Sequence, residues 1–160
     1  MLYDKHSSMV YAICFRYSKN AEDAYDILQE SFINVFKYLK NYKSEGSFEG
    51  WIRKISVNCA IRHYHTTMKR IDTGDLEVNT DLSGYSNVID ALNAQELLEM
   101  INKLPDGYRI VFNMYAIEGY SHKEIGEQLG ISESSSRSQL TRARKVLIEM
   151  LEVPVQLKRG

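Results

Sequence analysis

The chain is organised around a stretch near its C-terminus, Gly119-Tyr-Ser-His-Lys-Glu-Ile-Gly-Glu-Gln-Leu-Gly-Ile-Ser132, which continues as Glu133-Ser-Ser-Ser-Arg-Ser-Gln-Leu-Thr-Arg-Ala-Arg-Lys-Val-Leu147. The pattern indicates two short helices separated by a turn at Gly130. The second of them carries basic side chains on its outer side. Two helices joined in this way predict a helix-turn-helix.

Capping residues mark where these two helices begin and end. Ser121 has Glu124 three residues later, which is the spacing of a capping box. Gly130 suits the left-handed residue that ends a helix, and Ser132 can cap the helix that follows. The first helix is therefore predicted to begin after Ser121 and the second after Ser132.

The second helix has a charge pattern suited to the phosphates of DNA. No acidic residue occurs between Ser134 and Ile148, whereas four basic residues do. Such a helix can neutralise on the order of four phosphates, which fixes position and salt dependence rather than sequence. The basic residues are Arg137, Arg142, Arg144 and Lys145.

The composition limits the class of protein. At 160 residues the chain can hold one ordinary domain or two small ones. No apolar run is long enough to span a membrane and no signal peptide is visible, so we expect a cytoplasmic protein without membrane insertion. Cys14 and Cys59 lack metal-ligand spacing and are expected to be reduced, buried thiols, and no metal or other cofactor is predicted. The two prolines and the many apolar residues at helical spacing predict an all-α fold.

The net charge of −1 hides an uneven distribution. Residues 52–71 contain five basic residues and no acidic one, while residues 72–102 contain seven acidic residues and no basic one. Residues 72–86 also combine turn residues with the absence of an apolar period, which is typical of an extended linker. We therefore predict two small helical domains, at residues 1–70 and 88–153, joined by a flexible acidic linker at residues 71–87.

The strongest helical pattern lies in the first domain. Asp23, Asp26 and Glu30 share one side of this helix, with Gln29 beside them. By composition alone, a solvated face is the expected role of these residues. The apolar stripe of the same helix consists of Ala24, Ile27, Leu28, Ser31, Phe32, Val35, Phe36 and Leu39.

A further helix is predicted after a loop rich in Gly, Ser and Asn. Phe48 and Trp51 lead into this helix, and Lys54, Asn58 and Arg62 form a polar stripe along it. The aromatic rings and the stripe together could hold an unstacked base. The alternative is that the rings belong to the core and the basic residues are solvated.

Several stretches resemble the extracytoplasmic-function (ECF) group of bacterial sigma factors, the smallest class of the vegetative sigma-factor family. Asn20–Phe36 contains an acidic residue, two apolar ones, Gln-Glu and an aromatic residue, which is the signature of the family's region-two helix. Phe48–Asn58 resembles the stretch that follows it in the family. Leu104–Phe112 and the helix-turn-helix resemble region four. The resemblance covers most of the chain, and the motifs stand in the family's order.

The resemblance implies a protein-binding face on the region-two helix. In the family, the acidic-Gln-Glu face binds the clamp coiled coil of the largest RNA polymerase subunits. This implication reverses the solvated role expected from composition. The matching residues are Asp23, Asp26, Gln29 and Glu30.

The resemblance also implies two DNA contacts. The loop and the helix after it would melt the minus-ten element and hold a flipped base beside an Asn. The matching residues are Phe48, Trp51, Lys54, Asn58 and Arg62. The recognition helix would enter the major groove at the minus-thirty-five element. The matching residues are Ser134, Arg137, Ser138, Thr141, Arg142, Arg144 and Lys145, with the last two on phosphates.

The function implied by the resemblance is that of a sigma factor, which directs promoter-specific initiation and is not an enzyme. Its implied partners are core RNA polymerase, promoter DNA and an anti-sigma factor. Two alternatives are a stand-alone helix-turn-helix regulator and a module that titrates an anti-sigma factor. The sequence contains no carboxylate pair, phosphate-binding loop or nucleophile-base pattern that would favour an enzyme.

The chain departs from the family pattern in three places. Ser134, Ser135 and Ser136 replace the usual Gly, Thr and apolar residue. A polar Ser136 predicts looser docking of the recognition helix, or serines that bond phosphates. Thr141 stands where larger residues are common, so base preference does not transfer. Family members also have several more residues before Leu2, so we expect a truncated first helix or a start farther upstream.

Overall fold

Helices make up most of the described part of the chain. The computed structural model describes residues 1–70 and 94–159, and these residues form helices and turns without any strand. The chain divides into two compact units, Met1–Asp72 (unit 1) and Thr73–Gly160 (unit 2). The all-α prediction is confirmed, whereas the predicted linker at residues 71–87 lies outside the described residues.

Unit 1 is a bundle in which each of three helices packs against the other two. Its helices are α1 (Leu2–Tyr17), α2 (Ala21–Tyr38) and α3 (Phe48–Arg70), with a short 3₁₀ turn at Leu39–Asn41. The side chain of Asn20 accepts a hydrogen bond of 2.8 Å from the backbone N–H of Asp23, so α2 begins directly after Asn20.

The core of unit 1 explains its two cysteines. Cys14 and Cys59 are free and buried, and the Nδ2 of Asn34 donates a hydrogen bond of 3.1 Å to the Sγ of Cys59. Burial raises the pKa of Cys14 to about 12. The thiolate of Cys14, the form that reacts with electrophiles and binds metals, is therefore disfavoured at neutral pH, as expected for a cysteine that packs in the core.

The apolar stripe of α2 ends earlier than the sequence predicts. It is buried from Ala24 to Val35, but Phe36 is 53% exposed and Leu39 is 40% exposed. At 3.6 residues per turn, Phe36 lies about 100° around the helix axis from Val35, at the margin of the stripe. Leu39 belongs to the 3₁₀ turn, where the chain has already left the helix. The apolar stripe predicted for α2 therefore extends past the buried face of the helix at these two side chains.

Unit 2 is organised around its long C-terminal helix. Its elements are α4 (Ala94–Asn102), α5 (Asp106–Phe112), a π-helical turn (Asn113–Ile117), α6 (His122–Leu129) and α7 (Glu133–Arg159). Helix α7 packs against α4, α5 and α6. One buried cluster joins Leu104 to Ala143 and Leu147 of α7.

A buried arginine fixes the junction between α4 and α5. Arg109 donates hydrogen bonds to the backbone carbonyls of Leu104, at 2.7 Å, and Asn102, at 3.3 Å. Its guanidinium also pairs with the carboxylate of Asp106. The last carbonyls of a helix have no partner within the helix. Arg109 therefore supplies hydrogen-bond donors to carbonyls that would lack a partner where α4 ends. Its contact with Asp106 also holds the start of α5 in place.

Candidate nucleic-acid and protein interfaces

The four polar residues predicted on α2 divide into an outer and an inner pair. Asp26 and Gln29 are exposed, whereas Asp23 and Glu30 are partly buried. The inner residues approach α3: Glu30 Oε1 accepts a hydrogen bond of 2.8 Å from Arg62 Nη1, and Asp23 Oδ1 lies 3.8 Å from His63 Nε2. The structure thus joins Glu30 and Arg62, which sequence reasoning assigned to different surfaces.

Exposed apolar side chains continue this surface, and sequence reasoning missed them. Ile33 is 65% exposed and Phe36 is 53% exposed. With Asp26 and Gln29, these residues follow one another at spacings of three and four, so they share one face of α2. We call Asp26, Gln29, Ile33 and Phe36 the outer face of α2. Ile33 could have been found in the sequence, because it lies outside the apolar stripe.

An aromatic cluster stands where the loop after α2 meets α3. The ring centroids of Phe48 and Trp51 are 5.6 Å apart, and Tyr42 lies 5.2 Å from Phe48 and 5.1 Å from Trp51. His6 of α1 meets the edge of Phe48 at 5.7 Å. Phe48 and Trp51 are only partly buried. The sequence allowed two interpretations, rings that hold a base or rings that belong to the core. Each is incomplete, because the rings pack on one another and still keep accessible surface.

The loop between Tyr42 and Phe48 has a defined shape. Tyr42 donates a hydrogen bond of 3.1 Å from its hydroxyl to the carbonyl of Gly46. Gly46 has φ of 82° and Ser44 has φ of 56°. A left-handed conformation is uncommon for a residue with a side chain, so Ser44 stores a small strain that the Tyr42 contact helps to hold.

The polar stripe of α3 follows the aromatic cluster along the helix. Lys54, Asn58 and Arg62 recur every four residues and are all exposed. The buried side of the same helix carries Ile52 and Cys59. The structure therefore brings the predicted minus-ten residues onto one accessible strip that starts at the aromatic cluster and ends at the Glu30–Arg62 pair.

The helix-turn-helix has the caps that its sequence predicts. Glu124 N–H donates to Ser121 Oγ at 3.1 Å, and Ser121 N–H donates to Glu124 Oε1 at 3.2 Å. Gly130 is left-handed with φ of 70°. Ser132 Oγ accepts a hydrogen bond of 3.0 Å from the N–H of Ser135. The capping box, the glycine turn and the second cap are all confirmed.

Gly126 is a requirement of this motif that sequence reasoning missed. A Cβ at this position would lie 2.7 Å from the backbone oxygen of Ile131. Real Cβ atoms do not approach a backbone atom so closely. The turn between α6 and α7 can therefore fold back onto α6 only because position 126 has no side chain.

Most of the residues predicted to contact the minus-thirty-five element are accessible along α7. The only ion pair among them in the described residues joins Arg137 Nη1 to Glu133 Oε1 at 2.9 Å. The exposed residues are Ser134, Arg137, Ser138, Thr141, Arg142 and Arg144.

Lys145 differs from the other basic residues of α7. It is 2% exposed, and no residue that the structure describes forms a hydrogen bond with its Nζ. By helical spacing it falls with Ser138, Thr141 and Arg142, so the sequence could not distinguish it from them. A buried side chain cannot reach a phosphate. The structure does not present Lys145 to DNA, and we leave it out of the proposed contacts.

Ser136 is buried and is not accessible to a phosphate. It is 0% exposed, and its Oγ lies 2.8 Å from Nδ1 of His122. The ring of His122 stacks on Tyr115, with centroids 4.3 Å apart and planes 12° apart. The expectation of phosphate bonding thus does not fit Ser136, because its hydroxyl already has a partner inside the motif. Burial, and then the positive charge of Arg137, lowers the pKa of His122.

No helix among the described residues is long and apolar enough to cross a membrane. The same part of the chain contains no group of three or more His, Cys, Asp or Glu residues arranged to hold a metal ion.

Comparison with known proteins identifies the family. Residues 2–70 match the model of sigma-70 region 2, and residues 94–147 match that of sigma-70 region 4. The chain is 31% identical to the ECF RNA polymerase sigma factor SigE of Mycolicibacterium smegmatis over 92% of its length, and it spans 59% of that relative. It is 28% identical to the ECF sigma factor SigW of Bacillus subtilis, covering 92% of this chain and 86% of the relative.

A solved structure has a similar fold. The sigma factor RpoE of Bartonella quintana, determined in complex with the anti-sigma factor NepR, superposes with a TM-score of 0.54 at 19% identity, covering 91% of each chain. With region 2 matched in unit 1 and region 4 in unit 2, the chain belongs to the sigma-70 family, and within it to the ECF group of sigma factors.

Proposed function

We propose that this chain binds core RNA polymerase through α2, binds and melts the minus-ten element with α3 and its loop, and binds the minus-thirty-five element with α7. The observation that carries the proposal is the outer face of α2. A mixed acidic and apolar face is suited to bind a protein. A regulator that needs only DNA has no use for it.

The outer face of α2 has the composition of a protein-binding surface. Ile33 and Phe36 supply apolar area that becomes favourable when a partner removes it from water. Asp26 and Gln29 add charge and hydrogen-bonding groups beside that area. Charged groups around an apolar centre set orientation and association rate. We therefore assign the polymerase contact to Asp23, Asp26, Gln29 and Glu30 together with Ile33 and Phe36.

The strip on α3 is suited to a melted DNA strand. Phe48 and Trp51 expose part of their rings, on which a base can stack. Lys54 and Arg62 place positive charge along the same strip, and Asn58 between them offers both a donor and an acceptor to a base edge. A base that leaves the duplex costs a few kcal/mol, which stacking and hydrogen bonds of this kind offset.

The exposed side of α7 is suited to duplex DNA. Arg137 and Arg142 can each reach a guanine edge, and a good bidentate contact contributes about 1–3 kcal/mol of discrimination against another base. Arg144 then serves as a phosphate contact, which fixes position rather than sequence. Ser134, Ser138 and Thr141 lie on the same exposed side and complete the proposed contact set.

The proposal assigns recognition and not catalysis to this chain. Each contact is weak alone, and a polymerase that holds both units on one promoter makes the second contact effectively intramolecular. We place the protein in the cytoplasm, where its proposed partners are. We also propose an anti-sigma factor as a partner, supported by the complex in which RpoE of Bartonella quintana was solved.

The experiment that tests the proposal is transcription from a genomic promoter library by core polymerase with this protein. We expect transcripts that depend on the protein. A matched pair of variants then tests the α2 assignment. Asp26→Lys with Glu30→Lys should abolish co-purification with core polymerase, whereas Asp4→Lys with Glu49→Lys makes the same change of charge elsewhere in unit 1 and should leave it intact.

The outcome separates the proposal from its alternatives. A stand-alone regulator would bind its duplex tightly without polymerase and would give no polymerase-dependent transcript. A module that only titrates an anti-sigma factor would bind that factor and also give no transcript. Normal co-purification of the Asp26→Lys, Glu30→Lys protein would show that α2 is not the docking helix.

A further inference from the structure

One polar contact inside unit 2 replaces the apolar packing that usually joins the two helices of such a motif. Ser136, in the first turns of α7, is 0% exposed. A buried hydroxyl without a partner is costly. Here the Oγ of Ser136 lies 2.8 Å from Nδ1 of His122, the first residue of α6. The contact therefore satisfies Ser136 and ties α6 to α7.

The same imidazole is held on its face by a second ring. His122 and Tyr115 lie nearly parallel, with their planes 12° apart and their centroids 4.3 Å apart. Tyr115 belongs to the π-helical turn Asn113–Ile117, an uncommon element that is often found at functional positions. Three elements, the π-helical turn, α6 and α7, thus meet at His122.

The stack ends at an exposed cation. The guanidinium carbon of Arg144 lies 6.0 Å from the centroid of Tyr115, which is the outer range of a cation–π contact. Arg142, two residues earlier on α7, is also exposed but has no such ring contact among the described residues. In the absence of DNA, a ring contact therefore restrains the side chain of Arg144 and does not restrain that of Arg142.

We propose that Tyr115 and His122 are positioning residues for a phosphate contact made by Arg144, with Ser136 holding His122 in place. The inference rests on the proposed function, because it takes α7 to be the DNA-binding helix. In a helix-turn-helix the first helix crosses the backbone while the second enters the groove. A stack that joins the start of α6 to the outer side of α7 therefore lies where a phosphate is bound.

A purely structural role for the stack predicts a different result. Loss of packing alone would lower the stability of unit 2 and leave the number of phosphate contacts unchanged. A positioning role removes one phosphate contact. The salt dependence of DNA binding counts these contacts, since log K falls with log salt at a slope of about −0.9 per phosphate on duplex DNA.

The test uses the full chain and a fluorescein-labelled, random-sequence duplex, because phosphate contacts need no promoter sequence. Binding is measured by anisotropy over NaCl concentrations of about 20–100 mM, where non-specific complexes are tightest. Arg144→Ala and Tyr115→Leu should each reduce the magnitude of the slope by about 1. The double variant should lose no more than either single one, and Tyr115→Phe, which keeps the ring, should behave as the unaltered chain.

Arg142 provides the matched control. Because its side chain is assigned to a base edge and does not rest on Tyr115, Arg142→Ala should leave the slope unchanged, whereas Arg144→Ala should lower it by about 1. His122→Ala should reproduce the Tyr115→Leu slope. Thermal unfolding of each variant checks that unit 2 is folded at the temperature of the titration.

The results separate failure of this inference from failure of the proposed function. If Arg144→Ala lowers the slope and Tyr115→Leu does not, the positioning role is wrong. If neither changes it, or if the unaltered chain shows no salt-dependent binding, Arg144 makes no phosphate contact and the inference falls. Polymerase-dependent transcription is measured separately, and it can persist in each of these cases.

Discussion

The two units contain the same chemical pair at opposite depths. In unit 2 the guanidinium of Arg109 binds Asp106 with its side chain 5% exposed, and in unit 1 that of Arg62 binds Glu30 with its side chain 62% exposed. Arg109 also donates to two backbone carbonyls at the end of α4. The Arg62–Glu30 pair instead joins the surface strips of α3 and α2.

The difference shows which polar groups hold the fold and which are available to partners. A buried pair cannot be broken without leaving a charge or a carbonyl unsatisfied, which is strongly destabilising. An exposed pair exchanges its partner for water at little cost. Arg109 is therefore structural, whereas Arg62 and Glu30 can leave each other for the DNA and polymerase contacts that we propose for them.

The largest effect is expected at the buried pair. Arg109→Ala should destabilise unit 2 by about 3 kcal/mol, because it leaves the carboxylate of Asp106 and the carbonyls of Asn102 and Leu104 without their partner. Urea unfolding followed by hydrogen exchange of α4–α7 peptides measures the loss. Arg62→Ala, the same change at the exposed pair, should alter unit 1 by less than about 1 kcal/mol. Equal losses in the two variants would refute the contrast.

A second difference between the units concerns glycine. Gly126→Ala should cost unit 2 about 1–3 kcal/mol, since its Cβ would meet the Ile131 oxygen at 2.7 Å. Gly50→Ala in α3 of unit 1 is the control. Its Cβ would meet only Ser47, at 3.7 Å, so helix propensity should stabilise unit 1 by up to about 0.5–1 kcal/mol. Thermal unfolding, with hydrogen exchange measured separately for the peptides of each unit, gives the sign of both stability changes. A Gly126→Ala protein as stable as the unaltered chain would contradict the prediction.

The exposed pair itself should contribute little. A double-mutant cycle with Glu30→Gln and Arg62→Gln should give a coupling of about 0.2–1 kcal/mol in unit 1. Raising the salt to about 1 M should remove most of it, because exposed charges are screened. A coupling above about 2 kcal/mol would mean that the pair is part of the fold and is not free to change partners.

The smallest effect concerns pH. His122 is the only histidine of unit 2, and its pKa is lowered from 6.5 by burial and by Arg137 and Arg144, against the opposing charge of Glu133. The remaining neighbours, Tyr115 and Ser136, are uncharged there. Since the folded state disfavours the imidazolium, unit 2 should lose stability as the pH falls through about 6.5 and below.

Melting of unit 2 at pH 7.5 and at pH 5.5 measures this loss, and His122→Gln should flatten the difference between the two values. A unit 2 that becomes more stable at pH 5.5 would contradict the sign. Unit 1, which contains the other three histidines, is read separately by the exchange of its own peptides.

Local patterns in the sequence predicted much of this structure. The capping box at Ser121 and Glu124, the left-handed Gly130 and the cap at Ser132 follow from residues within a few positions of one another, and all are confirmed. The positions of most helices follow from local patterns in the same way. Such features depend on residues that are close together in the chain, and these can be recognised in the sequence.

Features that depend on distant residues were not predictable in this way. Phe36 lies at the margin of the apolar stripe and is exposed, because a side chain at the margin is buried only where a facing helix covers it. Lys145 has the spacing of an exposed residue but is buried. The Ser136–His122 contact joins residues fourteen positions apart, and neither side chain alone indicates it. The sequence therefore predicted the candidate surfaces. It did not show which of their side chains are buried or already form contacts within the fold.

The Ser136–His122 hydrogen bond also limits which sequences can replace the first turns of α7. An engineer who grafts the first turns of another family member's recognition helix onto this chain would bring an apolar residue to position 136. His122 would then face a methyl group with Nδ1 unsatisfied. The graft is compatible only if position 122 is replaced with it, so the DNA preference that we propose for α7 can be transferred only together with α6.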